Sequence, residues 1–332
     1  MSETRQESEE TQRSQDGATG AHETRGVGAE PPPGATPATT RGAPGQGEQP
    51  GKGRSLTSDA MRELRRNPLF IIPMMAILLM MVVAAFPQLF TSKDPRNCDL
   101  IISRDPPSAE HWFGVDLQGC DYYTTVLYGA RPSITIGIVT TAVAALIAVL
   151  LGTLAGYFGG WFDIILSRIS DIFFGLPFIL GALVILTVFD NRGISTVSLV
   201  LILLGWPTMT RLMRSSVLGN RDADYVNAAR ALGASDGRIM LRHVLPNAIT
   251  PVLVYATVTV GIIISAEAVL SFLGVGLELP NISWGLQINV AQVYFLESPH
   301  LLFFPAILLS ITVLSFIALG DAVRDAFDPK LR

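Results

Sequence analysis

The sequence predicts an all-α polytopic membrane protein with six transmembrane helices and both termini cytoplasmic. Three observations carry that prediction. The 332 residues are 49% hydrophobic and only 16% charged, whereas soluble domains carry roughly 25% charged residues. Of the 52 charged residues, 19 lie within residues 1–68, so the remaining chain is poorer still in charge. Six apolar stretches approach or exceed the roughly 20 residues that a helix needs to cross about 30 Å of hydrocarbon. A helix is required there because it satisfies every backbone N–H and C=O within one segment.

Residues 1–55 are rich in Glu, Gln, Gly, Pro and Thr, with Pro31, Pro32 and Pro33 in a row, and contain no apolar run able to form a core. They are expected to be a disordered cytoplasmic tail, a partner-binding extension being the functional alternative. Residues 56–68 form a basic juxtamembrane flank in which Arg62, Arg65 and Arg66 precede the first apolar run. That run starts at Leu69 and is too long for a signal-peptide core. The transmembrane domain is expected over 69–332, with spans at about 69–90, 133–157, 169–189, 194–213, 249–273 and 301–320. The third and fourth contain Pro177 and Pro207, which predict kinks.

Positive charges set the orientation. Arg211, Arg214, Arg221, Arg230, Arg238 and Arg242 cluster between the fourth and fifth spans, a cytoplasmic signature. Residues 274–300 contain Glu278 and Glu297 but no Lys or Arg, and residues 91–132 are acidic on balance, so both segments are expected outside. Cys98 and Cys120 then share the outer side, where disulfides persist. A bridge and two unlinked thiols are both open readings at this point.

Composition excludes other classes. A formal net charge of −4 gives no case for nucleic acid binding. Two cysteines and four isolated histidines (His22, His111, His243, His300) do not make a metal centre. No His or Cys lies in the middle of a span, which leaves a membrane-embedded enzyme without its nucleophile or metal, and no catalytic residue is expected. A secondary transporter or channel would show inverted repeats with paired broken helices, and no internal repeat is visible. No G-x-x-x-x-G-K-[ST] phosphate loop occurs, so ATP chemistry is not expected on this chain.

The connection 221–247 carries the most information. From Arg221 it reads RDADYVNAARALGASDGRIMLRHVLPNAITP. The pattern predicts two short helices. Tyr225–Leu232 presents a small-residue face of Ala228, Ala229 and Ala231, with Asp222 and Asp224 as candidate caps. Gly233 supplies a left-handed turn, Ser235 or Asp236 caps a second helix over Arg238–Leu245, and Pro246 ends it. A DNA-binding helix–turn–helix has the same outline, but tethering between two spans argues against that role.

Asn227-Ala228-Ala229, Gly233 and Val244-Leu245-Pro246 at this spacing resemble the EAA signature of ABC-importer permeases, with Asn227 in place of the usual Glu and His243 in place of Ile. The segments 113–133, 155–163, 266–285 and 319–332 extend the resemblance, over about residues 62–332, to the C-type permease subunits of dipeptide and oligopeptide importers. Such binding-protein-dependent inner-membrane components have the MetI-like fold of type I importers. These subunits usually read G-R-D where this chain has Gly119-Cys120-Asp121. The lost arginine and gained cysteine favour the bridge to Cys98.

The resemblance implies a multi-pass pore subunit in the cell membrane. Its implied partners are a second, B-type permease subunit, two ATPase subunits holding ATP and Mg, and an extracytoplasmic peptide-binding protein. Nickel, glutathione or oligosaccharide are alternative cargoes, and no cofactor or metal is expected on this chain. Tyr225, Asn227, Ala228, Ala229, Gly233, Asp236, Arg238, Arg242 and Pro246 would form the ATPase-coupling loop. Glu267, some 18 residues into the fifth span and so about 27 Å along it, is expected near the outer end. It and Asp171 are candidate pathway or interface residues, because intramembrane charges are costly and usually face the bundle interior. A hydrogen-bonded structural role is the alternative for Glu267, and an ion-pair cluster with Asp163 and Arg168 for Asp171. Pro280, Asn281 and Trp284 would lie where a binding protein docks, an interfacial aromatic anchor being the alternative for Trp284.

Overall fold

The computed structural model describes residues 67–327. The expected tail 1–55, the arginines of the 56–68 flank and the last five residues lie outside the described residues. Helix α1, Pro68–Ala85, opens on Asn67, whose side-chain oxygen accepts the Leu69 N–H, and Pro68 occupies the first turn, where a missing N–H costs nothing. Ile77, Met80, Val83 and Ala84 face inward, while Leu69, Ile72 and Met75 point to the surroundings.

An irregular segment, 86–121, leads to α2, Tyr122–Phe158. Its 37 residues extend about 55 Å at the helical rise, well beyond the hydrocarbon thickness. The expected 133–157 span is therefore the apolar part of a longer helix. The Tyr122–Arg131 turns are too polar to register as a membrane segment, yet Asp121 caps them by accepting the Thr124 N–H.

The expected third span, 169–189, is two helices. Helix α3, Gly160–Phe174, and α4, Phe178–Leu186, meet at 83°. Pro177 lacks the N–H that would continue the ladder and disfavours helical geometry at Leu176, so the chain turns a corner where a kink is expected. Helix α5, Ile194–Asn220, runs on past the expected end at Met213, with Pro207 inside it. Arg211 and Arg214 thus stand on a helix instead of in a loop.

Five of the described helices are long and apolar enough to cross a membrane: α1, α2, α5, α9 (Thr250–Phe272) and α11 (His300–Phe327). The α3–α4 pair makes the sixth crossing when its two arms are taken as one span. Between α5 and α9 lie α6 (Asp224–Ala231), α7 (Asp236–Ile239), a π-helical turn (Met240–Val244) and α8 (Leu245–Ala248). Between α9 and α11 the chain forms α10, Trp284–Ala291, which the hydropathy pattern does not reveal.

Helices α2 and α5 form the most extensive pair, and glycines allow it. A Cβ on Gly152 would lie 2.7 Å from the Met213 Cβ, and one on Gly156 2.8 Å from the Arg214 carbonyl oxygen. Small residues let helices approach closely where lipid offers no hydrophobic drive for association. Three buried clusters follow along the bundle. One gathers α1, α2, α10 and α11 around Met80, Tyr122, Trp284 and Phe316. A second joins α2, α4, α5 and α9 through Ile136, Leu186, Leu201 and Ile263. The third, at the end where the 221–249 connection lies, contains Met213, Val217, Val226, Ile239, Val244, Ala248 and Val252.

Gly156→Leu is expected to lower the thermal unfolding midpoint of the purified protein in detergent, since overpacking costs about 1–3 kcal/mol. Gly219→Ala, which meets no atom within 4 Å, should leave the midpoint unchanged or slightly raised.

Candidate functional site

The 221–249 connection is a small folded unit seated on the ends of α2 and α5. Val226, Ile239 and Val244 are fully buried in the third cluster, each worth roughly 1.5–3 kcal/mol relative to exposure. Polar ties reinforce the seat. The Tyr157 hydroxyl donates to Asp236 Oδ1 at 2.7 Å, and Arg221 Nη1 donates to the Gly156 carbonyl at 3.2 Å. Arg214 grips Asp163 with two donors, Nε and Nη2, the latter at 2.6 Å from Oδ2. Arg211 pairs with Asp171 at 2.9 Å with both side chains half-exposed, so Asp171 belongs to a surface ion pair at this end of the bundle.

Gly233 turns the chain at φ +81°, a left-handed conformation that a side chain would strain, and the Ala234 N–H returns to the Ala229 carbonyl. The expected caps differ. Ala223 and Ser235 precede α6 and α7, and neither helix has a side-chain cap. Asp222 serves through its carbonyl, which accepts from Asn227 Nδ2 at 3.0 Å, and Asn227 Oδ1 in turn accepts from Arg230. Pro246 does not end the second helix. The π turn just before it closes with the Leu245 N–H bonding to the Met240 carbonyl, and this wider register lies where a proline ring would clash with an α-helical turn.

The small-residue face divides by task. Ala229 packs against the third cluster, while Ala228 and Ala231 are exposed. Leu232 is 89% exposed and Leu241 69% exposed, and Arg238 and Arg242 stand in the open beside them in sequence. The unit is held rigidly from behind and leaves apolar and basic side chains uncovered in front.

The opposite end carries the disulfide. Cys98 and Cys120 are joined, with Cα atoms 4.1 Å apart. Beside the bridge, Asp121 accepts from Lys93 Nζ at 2.9 Å and from His111 Nδ1 at 2.8 Å while capping α2. Burial opposes its charge, but hydrogen bonds from Thr124, Lys93 and His111 outweigh that and hold its carboxyl below the ordinary range. Glu278 accepts from the Arg192 N–H and from Arg192 Nη2, bonds that lower its carboxyl too. An open cavity of about 710 Å³ is lined there by Lys93, Arg96, Arg131, Pro280 and Asn281 among others.

Trp284 departs from both expected roles. Its ring is fully buried and its Nε1–H donates to the Val126 carbonyl at 3.0 Å, so it is a core residue, neither a surface anchor nor a docking contact. Pro280 is exposed and Asn281 partly so. Glu267 is also fully buried; it accepts from Ser133 at 3.1 Å and from Ser271 at 2.8 Å.

Residues 148–332 match the family model of the binding-protein-dependent transport system inner membrane component. Residues 55–107 match the N-terminal TM domain of oligopeptide transport permease C. This chain belongs to that permease family. The permease is 37% identical to the oligopeptide transport system permease protein OppC of Bacillus subtilis, over 85% of this chain and 92% of that one. It is 36% identical to the glutathione transport system permease protein GsiD of Escherichia coli O157:H7, over 86% and 94%. It is a multi-pass membrane protein and a transport component.

Tyr157, which ties the unit to α2, and Ser133, which reaches Glu267 from α2, escape sequence reasoning because each pairs across distant segments. Only the Glu267/Ser271 spacing of four on one helix is a local signal.

The Asp121 network gives a pH dependence. A carboxyl lowered in the folded state adds stability that is complete above its ordinary value of 3.8 and is lost as pH falls through the folded value. Limited proteolysis of the 86–121 segment is expected to accelerate below about pH 4, and Asp121→Asn should remove that acid-dependent step.

Proposed function

We propose that this permease is one half of the transmembrane pore of an ATP-driven importer of di- and oligopeptides. A second permease subunit completes the pore. Two ATPase subunits bind ATP and Mg and hydrolyse the nucleotide, and an extracytoplasmic binding protein delivers the peptide. In this reading the end bearing the 221–249 unit is cytoplasmic, and so are both termini, while the disulfide end faces outward.

The observation that carries the proposal is the two-sided construction of the 221–249 unit. Val226, Ile239 and Val244 anchor it in the bundle, while Leu232 and Leu241 stay uncovered. Exposed leucines on a rigid support mark a surface built for a partner. Seated in a cleft of an ATPase subunit, the unit passes the closing motion on to the ends of α2, α5 and α9, because it shares one buried cluster with them. The exposed Ala228 and Ala231 permit close approach, and Arg238 and Arg242 supply rim charges that affect rate and specificity more than affinity. Tyr225, Asn227, Gly233, Asp236 and Pro246 are exposed on the unit, where the first four hold its shape through hydrogen bonds and the left-handed turn. Outside, Pro280 and Asn281 line the cavity against which the binding protein docks.

Peptide cargo follows from the likeness to an oligopeptide permease. Glutathione, itself a short peptide, is the second reading, favoured by the likeness to GsiD at nearly equal identity. Nickel and oligosaccharide remain further cargoes to test.

The test is co-purification of this chain in mild detergent, reconstitution into vesicles and measurement of uptake. Recovery of a second permease chain with ATPase subunits, and ATP-dependent uptake of a tripeptide, is expected. Ion-gradient-driven uptake by this chain alone would overturn the proposal, and competition with glutathione separates the two cargoes. Leu232→Glu lies on an exposed position and should leave the complex inserted, with peptide-stimulated ATP hydrolysis reduced by about tenfold or more, as a buried unpaired charge in an interface would cost.

A further inference from the structure

Glu267 is a carboxylate fully enclosed by protein near the outer end of α9. Among the described residues no ion pair includes it. Its hydrogen-bond partners are two hydroxyls. Ser133 on α2 donates to Oε2 at 3.1 Å, and Ser271 one turn further along α9 donates to Oε1 at 2.8 Å. Ser283, just before α10, is also fully buried. Both Ser271 and Ser283 accept backbone N–H groups. Ser271 Oγ takes the Leu277 N–H at 3.0 Å, and Ser283 Oγ takes the Leu286 N–H at 3.2 Å.

Those two N–H groups belong to the turn after α9 and to the first turn of α10. The hairpin 273–291 is therefore tied to α9 by a relay that runs from one carboxylate through Ser271 to the Leu277 N–H. The contact leaves no spare room. A Cβ on Gly285 would lie 2.6 Å from the Ala268 Cα, and one on Gly276 2.3 Å from Ser271 Oγ. Asn289 Nδ2 adds a bond to the Phe272 carbonyl at 2.6 Å. At its other end α9 begins at Thr250, one residue beyond α8 and the unit seated on the third cluster.

We infer that Glu267 is a positioning residue that locks the outer hairpin 273–291 to α9 through Ser271 and the Leu277 N–H, so that α9 carries movement of the 221–249 unit to the outer face. The inference rests on the proposed importer function and adds the route by which its two faces communicate. Allosteric coupling needs an element whose position both sites bias, and α9 with its locked hairpin is such an element. Ser133 has no N–H to cap and attaches the lock to α2, so it contributes less to the hairpin.

The reconstituted complex tests this by the ratio of ATP hydrolysis with loaded binding protein to basal hydrolysis. Glu267→Leu and Ser271→Ala are expected to lower that ratio by about fivefold or more with basal hydrolysis retained, the size of a typical coupling. Ser133→Ala should change it by less than about twofold. Spin labels at Ser235→Cys and Val293→Cys read the geometry directly, both sites being exposed, neither being assigned to the ATPase contact, and the native cysteines being bridged. Their separation should stay fixed between nucleotide-free and ATP-trapped wild type, and should broaden in Glu267→Leu. Should Glu267→Leu not assemble, Ser271→Ala and Glu267→Gln carry the test, because the Gln amide keeps one acceptor oxygen. A wild-type ratio together with an unbroadened distance in the assembled variants overturns the inference. Wild-type complex without ATP-driven uptake would instead overturn the importer reading itself.

Discussion

Backbone hydrogen bonding in hydrocarbon is the constraint on which this structure depends. Inside the apolar layer a chain must close its own N–H and C=O groups, and a helix does so locally. Several departures from straight helix are met by protein. Beyond the 83° corner, whose own residues Gly175, Leu176 and Pro177 are exposed, α4 packs against α5 through Ala182 and Leu186. The turn after α9 is closed by the Ser271 hydroxyl, and the end of α1 by Arg131, whose Nε and Nη2 donate to the Ala84 and Ala85 carbonyls. Specialised chemistry is pushed to the two ends of the bundle, where water and partners are available.

The two ends are built differently. One is apolar within and basic without, a folded unit held by Val226, Ile239 and Val244 with ties from Tyr157 and Arg221. The other is held by a covalent bridge, by Asp121 serving both a helix start and the Lys93 and His111 side chains, and by Arg192 on Glu278. Between them α9 is continuous over 23 residues, with the large clusters packed against both of its halves.

Much of this was legible in sequence because hydropathy and glycine act locally. The apolar runs overlap α1, α9 and α11, and match both ends of α9, whereas α1 stops at Ala85 short of the expected 90 and α11 runs to Phe327 past the expected 320; the Gly233 turn follows from the residue type that tolerates its φ. Lengths were misjudged where a helix leaves the apolar layer. Tyr122–Arg131 and Arg214–Asn220 are helical but polar, so composition hid them. Proline was the least informative signal: Pro177 accompanies a sharp corner, Pro207 sits within a continuous helix, and Pro246 follows a π turn. A tryptophan between two spans reads as superficial in sequence, whereas α10 turns Trp284 into the core.

The division of labour within the 221–249 unit has a consequence for how such chains diverge. Leu232, Leu241, Arg238 and Arg242 contribute little to the chain's own packing, so substitutions there cost little folding stability. Their side chains are free to follow the surface of whatever subunit they meet. Val226, Ile239 and Val244 are not free, because the bundle end closes over them. Under the proposed coupling role, pairing specificity is set at a handful of exposed positions while the support stays fixed, which makes the unit an interchangeable adaptor on a fixed mount.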